Sequence, residues 1–126
     1  MSIPAELKYT KEHEWLRIKG DVAVFGISDH AQEALGDIVF VEPPEVGRNF
    51  DAEESIGVVE SVKAVSDVYA PVAGEITGIN DALEGSPELV NSDPYGEGWI
   101  AKFRIAEGAD LSELMDADAY QAYLEE

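Results

Sequence analysis

The sequence predicts a mainly β fold, a small β-sandwich or flattened barrel with a short helix in its N-terminal half and helices at its C-terminus. Three observations carry this expectation. Apolar residues recur with period 2 in several short segments, clusters of Gly, Pro, Asn and Asp separate those segments, and helical spacing is confined to one early stretch and the tail. A parallel α/β sheet is disfavoured because its long crossovers are missing. The 126 residues fit one domain, 1–126, since that length leaves little room for two separate cores.

Tyr9 to Phe25 read as two strands. Tyr9, His13 and Trp15 fall on one side and Glu12, Glu14, Leu16 and Ile18 on the other, with a turn at Lys19-Gly20-Asp21. Asp29 followed by Gln32 has capping-box spacing, Ala31, Ala34 and Leu35 share a helical face, and Gly36 is a stop signal. Asp37–Glu42 is strand-like and Pro43-Pro44 ends it, because proline donates no ladder hydrogen bond. Ser55–Ser61 and Ser66–Ala70 are strands joined through Val62-Lys63-Ala64-Val65, and a further strand follows from Val72, giving a hairpin region of about 55–76. Asp81–Gly98 reads as a long loop with one helical turn, Trp99–Ile105 as a strand, and Asp110 with Glu113 as the capping start of a helical tail of about 110–126.

Composition narrows the function classes. Eight Lys plus Arg against 27 Asp plus Glu give a net charge of −19, a field that repels nucleic-acid phosphates and anionic membrane surfaces. The same surplus keeps a small protein monomeric or steers it toward basic docking surfaces. No apolar run approaches the roughly 18 residues of a membrane span, and Met1–Glu6 shows neither a secretory nor a transit pattern. The expectation is a bacterial cytoplasmic protein, or a mitochondrial matrix protein whose transit peptide has been removed. With no Cys, sulfur redox chemistry has to come from a cofactor.

Lys63 is the one lysine between Lys19 and Lys102, and it sits in a connection that breaks turn chemistry. A tight hairpin takes Asn-Gly or Asp-Gly, whereas here two valines, an alanine and the lysine stand between two strands. Where local rules are broken, a functional reason is a candidate. A lysine at a hairpin tip has a reachable amine on a flexible stem and suits a modified arm. The plain alternative is a solvated cation attracted by Glu60 and Asp67. His13 and His30 lack the pairing a metal site needs, Trp15, Trp99 and Tyr69 read as core or edge packing, and the acids Glu45, Asp51, Glu53 and Glu54 read as a solvated loop.

The stretch Gly57–Glu75, centred on Val62-Lys63-Ala64, closely resembles the lipoyl-attachment segment of the glycine cleavage system H proteins. Tyr9–Trp15, Gly26–Glu42 and Pro87–Trp99 resemble that family's other signatures, so the likeness runs from about Tyr9 into the tail. Pro43 departs from it, standing where the family more often has an aliphatic residue. The resemblance implies a lipoyl/biotinyl-carrier-like fold and a non-catalytic carrier with lipoic acid amide-linked to Lys63 as N6-lipoyl-lysine. It implies a lipoate-attaching enzyme and three docking partners: a pyridoxal-phosphate glycine decarboxylase, a tetrahydrofolate-dependent aminomethyltransferase and a dihydrolipoyl dehydrogenase. It also implies that Glu14 and Asp67 line a cleft sheltering the loaded arm; the plain readings are an exposed strand carboxylate for Glu14 and a turn residue for Asp67. Competing roles are a lipoate relay protein, a biotin carrier and an unmodified β-sandwich enzyme. Biotin carriers typically have Met on both sides of the lysine, where this chain has Val62 and Ala64. No base stands beside Lys63 in a recognisable catalytic motif.

Overall fold

The computed structural model describes residues 2–126. In chain order its elements are β1 Lys8–Tyr9, β2 Glu14–Lys19, β3 Val22–Ile27, α1 Asp29–Leu35, β4 Ile38–Glu42, β5 Asn49–Phe50 and β6 Ser55–Ser61. They continue with β7 Val65–Tyr69, β8 Gly74–Ile79, α2 Ala82–Gly85, α3 Leu89–Ser92, β9 Ala101–Ile105 and α4 Ala117–Leu124. The strands form a six-stranded sheet, β1-β2-β3-β9-β8-β5, and a three-stranded sheet, β4-β6-β7. Every ladder is antiparallel. Neither sheet closes on itself, so the sandwich is the architecture and the flattened barrel is not.

The period-2 pattern explains how the sheets meet. Leu16, Phe25, Phe50, Ile76 and Phe103 from the larger sheet enter one core with Val41, Ile56, Val59 and Val68 from the smaller one. Phe103 meets Phe25 and Phe50 edge-on, at centroid distances of 5.7 and 5.5 Å, the arrangement that suits aromatic quadrupoles. A Cβ at Gly74 would lie 2.4 Å from the Arg104 carbonyl oxygen, so only glycine lets β8 approach β9 there. The outer face of the larger sheet is covered too: Leu7, Tyr9 and Trp15 pack with Tyr120 of α4 in a second apolar cluster.

Several boundaries differ from the sequence expectation for identifiable reasons. Tyr9 to Phe25 holds three strands rather than two, because Thr10–His13 is a turn in which His13 adopts φ 69° and strand β2 starts only at Glu14. Helix α1 is capped by Ser28, whose hydroxyl accepts from the Ala31 amide, while Asp29 accepts from the Gln32 side chain inside the first turn. Gly36 does end α1, at φ 81°. The tail helix starts at Ala117 with Asp116 as its cap; Asp110 instead holds a local turn through the Ser112 amide. Short helices α2 and α3 occupy the presumed loop because Leu83 and Val90 are drawn into the core, and β5 is a two-residue pairing too short for periodicity to reveal.

Candidate functional site

Strands β6 and β7 pair from Ser55↔Tyr69 to Glu60↔Val65, so the hairpin turns through the four residues Ser61-Val62-Lys63-Ala64, of which Ser61 still pairs with Ile38 of β4. A loop of that length is commonly built around a type I turn and needs no residue at positive φ. Accordingly, Val62, Lys63 and Ala64 all avoid that region. The Ser61 hydroxyl supplies the missing turn chemistry by accepting from the amides of Lys63 (3.2 Å) and Ala64 (3.0 Å), and the Ser61 amide donates to the Ala64 carbonyl. The connection keeps turn chemistry without Asn-Gly because the Ser61 hydroxyl, just outside the Val62–Val65 stretch read from sequence, caps it.

Lys63 is exposed. Among the described residues the ion pairs are Arg48–Glu54 and Arg104–Glu75, and Lys63 joins neither Glu60 nor Asp67. Its stem lies across Gly36, where a Cβ would come within 3.1 Å of the lysine Cε and 3.7 Å of Nζ. The loop is also moored at the next residue, where the Val62 amide donates to the Asp37 carbonyl at 3.0 Å. Around the tip, Val62, Val65, Val39 and Phe40 expose apolar surface, with Phe40, Glu60 and Val65 aligned across the three strands on the solvent face of the smaller sheet.

Glu14 is not an exposed strand carboxylate. It is 3% exposed, and its carboxylate accepts from the Thr10 hydroxyl at 2.6 Å and faces the backbone amide of Tyr69 on the unpaired edge of β7. Burial pushes its pKa up to about 7; the Thr10 and Tyr69 hydrogen bonds oppose the rise and the neighbouring Glu12 adds to it. Glu14 lies in the wall of a cleft of about 120 Å³. The β1–β2 turn contributes Thr10, Lys11 and Glu12, the end of β7 contributes Tyr69, Ala70 and Pro71, and Glu53, Glu113 and Leu114 close the rim. Glu53 reaches it from a turn at φ 68°, where its amide is held by the Ala70 carbonyl.

Asp67 lies within β7 rather than in a turn, points to solvent and accepts from the Ser55 hydroxyl at 3.2 Å. It stands between Lys63 and the cleft along the strand but is not among the cleft-lining residues. Val65–Tyr69 runs about 13 Å from the hairpin end toward Glu14. Tyr69, read from sequence as packing, is half-buried in the cleft wall, and Glu53, read as solvated, is on its rim. Thr10 stood in the sequence only as part of the Tyr9–Trp15 signature and Glu113 only as a helix-capping residue; proximity brings both to the cleft. The His13 and His30 rings lie 4.7 Å apart, tilted by 40°, with His13 Nδ1 2.9 Å from the Tyr120 hydroxyl, and no cluster of metal-ligating side chains occurs among the described residues.

Fold and site together define a class: an open two-sheet β-sandwich that presents a lysine on a serine-capped hairpin, with an acidic cleft at the far end of the same hairpin. Residues 7–126 match the family described as glycine cleavage H-protein. The chain is 62% identical over 120 residues to the glycine cleavage system H protein of Chromobacterium violaceum, covering 94% of each. It is 54% identical over 125 residues to that of Symbiobacterium thermophilum, covering 99% of this chain and 98% of the relative. The crystal structure of a glycine cleavage system H protein from Mycobacterium marinum superposes with a TM-score of 0.90 at 41% identity, over 98% of this chain and 100% of that one. The chain belongs to the glycine cleavage H-protein family.

Proposed function

We propose that this chain is the lipoyl carrier of the glycine cleavage system, with lipoic acid held in amide linkage on Lys63 Nζ. The observation that carries the reading is the placement of Lys63: an exposed primary amine on a hairpin tip, in a chain whose whole length is that of the H proteins it matches. The residues present fit the group. The tip offers an amine to acylate, the chain has no thiol to compete for disulfide exchange, and the cleft holds a buried carboxylate with no ion-pair partner among the described residues. When bound, the lipoyl group supplies the disulfide and dithiol chemistry that the cysteine-free chain lacks.

What the protein does in this scheme is hold, orient and shelter. Ser61 and Gly36 set the direction in which Lys63 leaves the surface. Glu14, oriented by Thr10, would pair with a cationic amine brought on the arm, and Asp67 would add negative charge along the way to it. Tyr69, Pro71 and Leu114 would keep water from what the arm carries. Partners in turn are the pyridoxal-phosphate glycine decarboxylase, the tetrahydrofolate-dependent aminomethyltransferase and the dihydrolipoyl dehydrogenase, after a lipoate-attaching enzyme has loaded Lys63. The carrier itself catalyses no step. Substituting Lys63→Arg keeps charge and length but removes the acylable amine. Intact mass of protein from its native host shows the lipoyl increment in the wild type and none in K63R; an increment that persists in K63R places the arm elsewhere.

A further inference from the structure

Asn91 sits in α3, in the stretch whose sequence reads as loop, yet its side chain makes three hydrogen bonds to residues 53, 55 and 59 positions earlier in the chain. Its Nδ2 donates to Gln32 Oε1 and to the Gly36 carbonyl, both at 2.9 Å, and its Oδ1 accepts from the Ile38 amide at 2.8 Å. Both of its N–H donors and its carbonyl oxygen are engaged by the end of α1 and the start of β4. The segment it brackets, Gly36-Asp37-Ile38, is the one against which the lysine hairpin rests: Gly36 underlies the Lys63 stem and the Asp37 carbonyl receives the Val62 amide.

The orientation of the bonds matters. Gly36 is at φ 81°, a conformation that leaves its carbonyl free of the helix ladder, so without a donor at that point the junction has no fixed exit angle. Asn91 supplies the donor and, through Ile38, also fixes where β4 begins. A shift of the junction moves both supports of the hairpin tip together.

We propose that Asn91 is a positioning residue for the acyl-carrying lysine: it buckles the α1–β4 junction into the platform that aims Lys63. This rests on the reading of Lys63 as the acylated residue. Asn91 touches neither Lys63 nor its cargo and acts through Gly36 and Asp37.

The test uses the full-length unmodified protein as substrate for a lipoate-attaching enzyme with lipoate and ATP, together with hydrogen exchange of the Val62 amide. Asn91→Asp keeps an acceptor for Ile38 but loses both donors, and Asn91→Ala loses everything. The control is Val90→Ala, which removes buried packing from the same helix without touching the junction. Both Asn91 variants lower kcat/KM for acylation about tenfold or more and speed Val62 exchange by a similar factor, because a misplaced reactive group loses rate steeply. V90A, with equal or greater loss of thermal stability, changes neither by more than about twofold. Asn91 variants that acylate at the wild-type rate with unchanged Val62 exchange overturn the proposal, as does V90A reproducing their defect. If the wild type itself is not acylated, the reading of Lys63 fails, and Val62 exchange alone still decides whether Asn91 holds the platform.

Discussion

Glu14 is a carboxyl group kept where solvation opposes it. Its pKa of about 7, against an ordinary 4.5, means that the folded protein retains a proton between those values which the unfolded chain has released. Stability therefore falls as pH rises from about 4.5 to about 7, and at pH 8 the buried charge costs on the order of 3 kcal/mol. Glu14→Gln removes the charge while keeping an acceptor for Thr10. Urea unfolding is expected to find E14Q more stable than wild type at pH 8 and nearly equal at pH 4.5. His13, whose pKa burial and His30 lower, contributes the opposite slope, but it is common to both proteins and cancels in the difference. An E14Q advantage that does not depend on pH would show that Glu14 does not titrate in that window. A carboxylate retained at such cost suits a role in which a cationic amine arrives to pair with it.

At the scale of elements, α4 is fixed less by its own length than by one residue. Eight residues form a marginal helix alone. Tyr120 anchors it: the ring stacks on Tyr9 at 4.5 Å with an interplanar angle of 1°, and its hydroxyl lies 2.7 Å from Ser28 Oγ and 2.9 Å from His13 Nδ1. The same hydroxyl thus ties the tail to the cap of α1 and to the turn that precedes Glu14. Tyr120→Phe keeps the stack but removes the hydroxyl shared by buried Ser28, which retains the Ala31 amide, and half-buried His13, at a cost of about 1–3 kcal/mol. Hydrogen exchange should show faster opening at α4 and at the Thr10–His13 turn together. Opening confined to α4 would mean that the hydroxyl does not couple them.

The whole molecule carries a net charge of −19, 27 acids against eight Lys and Arg, and two of those cations, Arg48 and Arg104, form ion pairs among the described residues. Attraction to a basic partner surface is screened beyond about 8 Å at physiological ionic strength, so reaction at subsaturating carrier should slow as salt rises while saturated turnover changes less. The structure decides which acids can test a contribution from the tail. Asp116 caps α4 and Glu113 is on the cleft rim, so neutralising either changes more than charge. Asp118, Glu125 and Glu126 are exposed, and their conversion to Asn and Gln should flatten the salt dependence by about one charge contact each if this face meets the partner. Salt dependence equal to that of wild type would exclude the tail from docking.

The alternation of apolar residues by itself determined the mainly β class and most strand positions, because burying one face of each strand leaves a period-2 trace in any sequence. Lys63 was legible for a related reason: an isolated cation between two strands is a local pattern. Turns and caps set by one displaced residue were less legible, as the His13 turn and the Ser28 cap show, since Ser, Asp and Asn can each cap from adjacent positions. Only the tertiary structure decided that Glu14 is buried, that Glu53, Tyr69 and Glu113 share its cleft, and that Asn91 braces the lysine hairpin from 28 residues away. Burial of a polar group depends on which distant elements fold over it, and a side-chain amide reveals its partners only when the chain has brought them within 3 Å. Local spacing carries neither.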